Sequence, residues 1–179
     1  PFASGSRDAA IVLVLPPGPY SAHLRSGDAT GGVALFEAYD AIGGDPRSRL
    51  INLSLRGQAG TGDSTLIAGV VVGGTEPVNL LLRAVGPGLE VFGVGGVLAR
   101  PSIALYSGSR LLGSNEGWSG VPFAADLAGA ARAAGAFPLS PASADSALTV
   151  VIPPGPYTIH VSGADGSSGE VLTEVYVLR

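Results

Sequence analysis

The sequence has no cysteine, no methionine and no lysine among its 179 residues, and these absences exclude several kinds of site. Without cysteine the chain has no disulfide framework, no thiolate metal site and no cysteine nucleophile. A chain without oxidisable sulfur also withstands oxidants, which favours a location outside the cell. We therefore expect an extracellular or cell-surface protein.

Charged residues are also scarce, at 13% of the chain, and the net charge is −4. No basic run is present, so we expect neither a nucleic-acid partner nor a patch for anionic membranes. No apolar stretch reaches the roughly 18 residues that a membrane-spanning helix needs, so no membrane insertion is expected. The chain is instead rich in hydrophobic residues (46%), with 28 glycines and 14 prolines, which is typical of short strands joined by tight turns.

One segment of the chain occurs twice. At an offset of 137 residues, 8–40 aligns with 145–177 without a gap, and 14 of the 33 positions are identical. In the first copy these are Asp8, Ala10, Val14, Pro16, Pro17, Gly18, Pro19, Tyr20, His23, Asp28, Gly32, Leu35, Glu37 and Tyr39. Internal repetition of this kind indicates a repeated structural unit. We interpret 1–45 as the back half of a repeat plus a linker, and 46–179 as one complete repeat.

Strand and helix patterns predict the fold class. Apolar runs separated by glycine-rich turns indicate eight short strands in the complete repeat, five of them at about 49–56, 65–72, 78–85, 102–106 and 110–113. The alanine-rich stretch 122–137 spaces Phe123, Leu127 and Ala131 on one helical face and predicts a short helix across one end of the sheets. We expect an antiparallel two-sheet sandwich, immunoglobulin-like or jelly-roll, plus an N-terminal three-stranded half-repeat.

Two features resemble catalytic motifs but fit structural roles better. Gly62-Asp63-Ser64 echoes a serine-hydrolase signature, yet Tyr157 stands where such enzymes place an aspartate three residues before the histidine. We interpret it as a polar hairpin turn. His23 and His160 are the only histidines, and both are expected on the surface of a strand. We expect no catalytic residue, no metal ligand and no cofactor, and the chain is not expected to be an enzyme.

The single tryptophan lies in the polar stretch 113–120, beside Asn115 and Glu116. An exposed tryptophan next to polar groups can stack on a sugar ring, which makes Trp118 the candidate glycan contact. A tryptophan in a loop more often closes one end of the hydrophobic core, and this is the interpretation that we favour, with the glycan contact as the alternative. The same stretch lacks the dense aspartate spacing of calcium loops.

One polar pair is predicted to be structural. Glu174 and its counterpart Glu37 fall on the same strand face as neighbouring leucine and tyrosine residues, so the carboxylate is expected to point inward. A buried carboxylate needs a partner. Arg83, within an apolar run, is the expected partner of Glu174.

The stretches SRLINLSLRGQAGTGDSTLIAGVVVGG, LLLRAVGPGLEVFGVGGVLARPSIALYSG, SNEGW and PPGPYTIHVSGADGSSGEVLTEVY resemble a repeat domain of large secreted bacterial proteins. The resemblance covers 46–179, and 1–45 resembles the tail of a preceding unit. It implies a tandem, secreted β-sandwich domain and supplies no catalytic residues to carry over.

Two functions fit these observations. The first is a structural subunit of an extracellular bacterial filament or surface assembly, which polymerises head-to-tail with itself by strand addition or complementation of the half-repeat. The candidate assembly residues are the apolar side chains Ile11, Leu13, Leu15, Tyr20, Leu24, Leu35 and Tyr39. The alternative is an adhesion or carbohydrate-binding module that binds surface glycans through Trp118.

Overall fold

The computed structural model describes residues 3, 5–6, 8–28, 32–40 and 49–178. The chain divides into two units, Pro1–Leu50 and Ile51–Arg179. Apart from Asp40, the predicted linker 40–48 lies outside the described residues.

The Ile51–Arg179 unit contains eight strands, as the sequence predicts, and one α-helix, α1 (Ala124–Ala133). The strands are β1 (Asn52–Ala59), β2 (Leu66–Val72), β3 (Val78–Val85), β4 (Pro101–Ser107), β5 (Arg110–Glu116), β6 (Ser146–Ile152), β7 (Gly155–Gly163) and β8 (Gly169–Leu178). The predicted strands overlap the observed ones, although β1 begins three residues later than expected.

The eight strands form two antiparallel four-stranded sheets, the first in the order β1-β8-β3-β6 and the second in the order β2-β7-β4-β5. Strands therefore pair as β1 with β8, β2 with β7, β3 with β6 and β4 with β5, which is the nested pairing of a jelly roll. This order decides between the two topologies that the sequence leaves open.

The two halves of this unit interlock through these pairings. We call β1–β5 the front half and the segment from Asp145 to the end of β8 the back half. β6 pairs with β3, β7 with β2 and β4, and β8 with β1 and β3. Each strand of the back half thus forms its ladders with strands of the front half, and none pairs with another strand of the back half.

The main core lies between the two sheets. Alternate residues of β2, β4 and β7 face inward, as their alternating burial shows, because successive side chains of a strand point to opposite faces. The fully buried side chains of this core include Leu80, Leu82, Leu98, Ile103, Leu105, Ile159, Val161 and Val171.

A second, smaller core lies on the outer face of the first sheet, where α1 covers it. Leu127 of the helix packs there with Leu81, Trp118, Ala147 and Tyr176. The helix therefore lies on a sheet face rather than across one end of the sheets. β3 is buried on both faces for this reason, since one face meets the second sheet and the other meets the helix.

The predicted helical face is correct for two of its three residues. Leu127 is buried and Ala131 packs against the smaller core. Phe123 instead precedes the helix, with a non-helical φ of −102° and ψ of 23°, and its side chain is 49% exposed. The helix begins only at Ala124, which removes Phe123 from the helical stripe.

The turn Gly62–Ser64 is a single turn of 3-10 helix between β1 and β2. Because β1 and β2 belong to different sheets, this turn carries the chain from one sheet to the other. Gly62-Asp63-Ser64 is thus a turn, as predicted, but the prediction of a hairpin is wrong, because β1 and β2 do not pair with each other.

The Pro1–Leu50 unit differs from the prediction of a three-stranded half-repeat. The described residues 8–28 and 32–40 contain no strand, and all of them are exposed. The physical reason is the pairing pattern of the jelly roll. The three segments match β6, β7 and β8, which form no ladder with one another, so they cannot satisfy their backbone groups as a three-stranded sheet of that fold.

We predict that Gly86→Ala destabilises the Ile51–Arg179 unit by more than about 2 kcal/mol, because a Cβ at Gly86 would lie 2.0 Å from the backbone oxygen of Leu98. The same change at Gly129, where a Cβ meets nothing within 4 Å, should be neutral or stabilise α1 by up to about 1 kcal/mol. Denaturant titration followed by the fluorescence of buried Trp118 measures both. Equal stabilities of the two variants would contradict the prediction.

Candidate assembly site

The interface between the front and back halves, which we call the seam, contains a few buried polar groups that form contacts between the two halves. At the start of the back half, Asp145 is fully buried and its carboxylate accepts hydrogen bonds from the backbone N–H groups of Gly86 and Gly88. The Gly86 N to Oδ1 distance is 2.8 Å. This carboxylate satisfies backbone donors of the loop after β3, which would otherwise be unpaired in the interior.

The same corner carries further bonds across the seam. The Ser146 hydroxyl donates to the Pro101 carbonyl at 2.6 Å, and the Ala147 N–H donates to Asn115 Oδ1 at 3.1 Å. Asn115 therefore serves a buried backbone group and is not available as a sugar or calcium ligand. These bonds dock the beginning of β6 on β4 and β5.

The structure brings the predicted pair Arg83 and Glu174 together. They face each other in the register of β3 and β8, with 3.1 Å between Arg83 Nε and Glu174 Oε2, and both side chains are buried. Neither of these two atoms has a hydrogen bond of good angle among the described residues, so their attraction is mainly that of opposite charges. Arg83 Nη1 donates to the Phe137 carbonyl at 2.9 Å, and the guanidinium lies 4.4 Å from the Phe137 ring centre.

Glu174 lies on a different face from the one that carries the main core. Val171 and Val175 of β8 point between the sheets, whereas Glu174 and Tyr176 point to the outer face that α1 covers. The carboxylate is thus buried, as expected, but in the smaller core. The Tyr176 hydroxyl donates to Glu174 Oε1 at 2.7 Å.

Burial dominates the titration of this cluster. It raises the pKa of the Glu174 carboxyl, while the charge of Arg83 and the hydrogen bond from Tyr176 both act to lower it. Burial and the hydrogen bond to Glu174 raise the pKa of Tyr176 above its ordinary value. The cluster therefore resists carrying an unbalanced negative charge.

The segment 8–40, which we call the N-terminal segment, retains three polar residues of this seam, whereas Ala9 stands in place of Ser146. Asp8 matches Asp145, Glu37 matches Glu174 and Tyr39 matches Tyr176. In the back half, the two acids contact front-half groups, namely the Gly86–Gly88 loop and Arg83. The N-terminal segment thus keeps the side chains that bind a front half.

The apolar assembly residues match buried positions in the same way. Ile11, Leu13, Leu15, Tyr20 and Leu24 correspond to Leu148, Val150, Ile152, Tyr157 and Val161, all of which belong to or pack against the core between the sheets. Tyr39 corresponds to a member of the smaller core, and Leu35 to the half-buried Leu172. In the N-terminal segment these seven side chains are 46–80% exposed.

The N-terminal segment already has two local features of the folded back half. The Tyr20 hydroxyl donates to the Pro16 carbonyl at 2.7 Å, as the Tyr157 hydroxyl does to Pro153. The Tyr39 hydroxyl donates to Glu37 Oε1 at 2.8 Å, which repeats the bond between Tyr176 and Glu174. The tyrosine–proline bond of the PPGPY turn is therefore present in the N-terminal segment without strand pairing.

Trp118 does not offer a surface for stacking on a sugar ring. Its side chain is 7% exposed and belongs to the smaller core, and its indole N–H donates to the Ser140 carbonyl at 3.1 Å. Of the two roles open in the sequence, the packed one agrees with the structure, although Trp118 lies beside α1 rather than at an end of the main core.

His160 also has a local role. Its Nε2 lies 3.1 Å from Thr158 Oγ1 on the same strand, and its ring packs against Tyr106 with 4.8 Å between ring centres.

Among the described residues, no group of three or more acidic or histidine side chains is placed to hold a metal ion. The described part of the chain has no helix with the length and apolar character needed to cross a membrane.

Asp145 is the site residue that the sequence analysis did not single out. Its signal is present in the repeat, because Asp8 and Asp145 are the first identical pair. An acidic residue kept at the edge of an apolar strand is a candidate cap for nearby backbone N–H groups.

No family model and no curated protein matches the chain. Among solved structures, it is similar to the pre-peptidase C-terminal domain of a collagenase from Bacillus anthracis, at 13% sequence identity, over 70% of this chain and 89% of that chain, with a TM-score of 0.41. A similarity of this size does not transfer a function.

We predict that Arg83→Leu costs about 3–5 kcal/mol of unfolding free energy, because it leaves the buried Glu174 carboxylate without its charge partner. The double variant Arg83→Leu/Glu174→Leu should recover much of this loss, since no charge then remains buried in the cluster. Denaturant titration of the single and double variants measures the coupling. Additive losses in the double variant would show that the pair is not coupled.

We also predict a pH dependence that comes from Glu174. Because its pKa is raised in the folded state, the folded protein binds more protons than the unfolded chain between the unfolded value, about 4.3, and the folded value. The stabilisation is fully present below that window and is lost as the pH rises through it. The unfolding free energy of the wild type should therefore fall relative to that of Glu174→Gln as the pH rises through this window, while Glu76→Gln, in an exposed loop, should not reproduce the change.

Proposed function

We propose that the chain is a structural subunit of an extracellular bacterial filament or surface assembly, which links head-to-tail when the N-terminal segment of one copy fills the front half of another. The observation that supports this proposal is that the N-terminal segment keeps the counterparts of Asp145, Glu174 and Tyr176 while its apolar side chains are exposed. Exposed apolar segments with strand-forming sequences can pair with a second chain.

The chain carries one front half and two sequences that match a back half. Residues 1–179 thus contain one back-half sequence more than front halves. In the structure 145–178 occupies the front half, which leaves the N-terminal segment as the second copy. We propose that this segment binds the front half of another copy.

Linkage between copies requires exchange, because the front half of the acceptor already holds its own β6–β8. The two competing segments fill similar volumes. Four buried positions are smaller in the N-terminal segment, where alanine replaces Ser146, Ile159, Val171 and Val175. The residues Leu24, Ser26 and Phe36 are larger than the buried Val161, Gly163 and Thr173 that they match, and Leu13 is larger than the half-buried Val150.

Cores tolerate compensating changes of this kind, so we expect the two segments to pack against a front half with similar stability. The degree of assembly then depends mainly on the concentration of the chain. An interface between two different surfaces that does not close on itself propagates as a filament. Exchange also requires the acceptor to open its seam, so assembly should be slow and should speed up under mild denaturation.

The test of assembly uses two adjacent apolar residues with opposite roles. Leu15 matches Ile152, which is 2% exposed, whereas Val14 matches Val151, which is 66% exposed. We predict that the wild type forms filaments at high concentration, visible by negative-stain microscopy and by light scattering after size exclusion. Leu15→Arg should abolish them and Val14→Arg should leave them intact. Wild-type protein that stays monomeric across the concentration series would overturn the proposal.

Disulfide cross-linking tests the register in which the N-terminal segment pairs with β3 of another copy. Because the chain has no cysteine of its own, only the introduced cysteines can form a disulfide. Asn79 of β3 faces Val151 of β6, and Val14 matches Val151. The variant Val14→Cys/Asn79→Cys should form a disulfide-linked ladder of oligomers under oxidation. Val12→Cys/Asn79→Cys, two residues out of register, should not. A link that forms only within single copies would contradict head-to-tail linkage.

A further inference from the structure

The match between the two copies continues before Asp8 at the same offset of 137 residues. The stretch 1–7 aligns with 138–144 without a gap, with a proline first in both and a serine sixth in both. The second position is apolar in both, as Phe2 in one stretch and Leu139 in the other. The sequence that resembles the back half therefore extends up to the residues that precede β6.

Trp118 holds the residues that precede β6. Its indole N–H donates to the Ser140 carbonyl at 3.1 Å and to Ser143 Oγ at 3.2 Å. Its backbone N–H donates to the Asp145 carbonyl at 2.8 Å. Two of these acceptors are backbone carbonyls, which any residue supplies, and the hydroxyl of Ser143 has an identical counterpart in Ser6. A second copy thus offers Trp118 the same three acceptors.

Leu139 borders a cavity of about 280 Å³ between α1 and the outer face of the first sheet. Most of the lining is apolar and includes Leu81, Leu127, Ala131 and Ala147. Leu139 is half-buried and packs against the smaller core without filling this space. A cavity of about 150 Å³ is enough to hold a benzene molecule, so this one has room for one aromatic ring but not for two.

We propose that the cavity receives the Phe2 side chain of a second copy, when residues 1–40 of that copy take the place of 138–177. This inference rests on the proposed function, because Phe2 reaches the cavity only when the N-terminal segment occupies the front half. A phenyl ring is larger than the leucine side chain that it replaces, and it fills apolar space that Leu139 leaves empty. Residue 2 therefore favours the incoming copy over the acceptor's own residues.

The donor side is tested in the full chain. Phe2→Ala should raise the concentration at which half of the chains are assembled by about tenfold or more, because the burial of an aromatic ring is lost. Phe2→Leu, which copies Leu139, should lie between the wild type and Phe2→Ala. Light scattering after size exclusion, across a concentration series, measures all three. Denaturant titration of the monomers should give equal stabilities, since residue 2 is outside the Ile51–Arg179 unit.

A control of identical composition separates the cavity from general hydrophobicity. Phe2→Ala/Ala3→Phe moves the ring to the position that matches Ser140, which is exposed, so it should assemble no better than Phe2→Ala. Wild-type assembly with no loss in Phe2→Ala, or with full recovery in the exchanged variant, would overturn the cavity assignment and leave the proposed function intact. A wild type that stays monomeric would overturn both.

The acceptor side is tested at Ala131, which lines the same cavity. Ala131→Phe places a ring of the acceptor's own in the cavity, so the effect of Phe2→Ala should shrink from about tenfold to less than about threefold in this background. Ala133→Phe, at an exposed position of α1, should leave the full effect. Denaturant titration checks that both helix variants fold. An undiminished effect of Phe2→Ala in folded Ala131→Phe would show that the two residues do not share this space, and would overturn the inference.

Discussion

The pairing rule of the jelly roll is the constraint on which the rest of this structure depends. The strands of the back half form ladders with β1–β4 and none with each other. Backbone groups of a strand need partners, so a back half has no folded state of that type without a front half. The exposure of the N-terminal segment follows directly from this rule, even though its sequence closely matches a segment that folds well in the same chain.

The polar groups at the seam are placed where they distinguish the correct partner from a merely apolar one. Asp145, Arg83 and Glu174 are buried in contacts that join the two halves. A buried, paired charge adds little net stability, but a buried charge without its partner lowers the stability by several kcal/mol, roughly 3–5. A back half docked one residue out of register would leave these groups unpaired and turn its apolar face away from the core. Specificity is therefore concentrated in a few side chains, while hydrophobic burial supplies most of the stabilisation.

Much of the fold was predictable from the sequence, because apolar runs, the alternation of apolar and polar residues, and glycine-rich turns can each be recognised within a short stretch of chain. The eight strands and the helix fall close to their expected positions, and Arg83 with Glu174 lie together as the pattern predicts. The predictions that were wrong concern contacts between residues that lie far apart in the sequence. Which face of β8 meets the second sheet depends on where α1 packs, and α1 lies far along the chain. Trp118 is buried, as the sequence favoured, but it packs in the smaller core beside the same helix rather than at an end of the main core.

The end of β8 lies beside the beginning of β1, since Asn52 and Tyr176 face each other in the ladder. A short connection can therefore join the end of one back half to the start of a front half, which is the condition for circular permutation. Residues 8–116 contain sequences that match β6–β8, followed by β1–β5 themselves, so the back-half sequence comes first instead of last. The sequence thus contains two overlapping sets of eight strand sequences, in circularly permuted order, that share β1–β5.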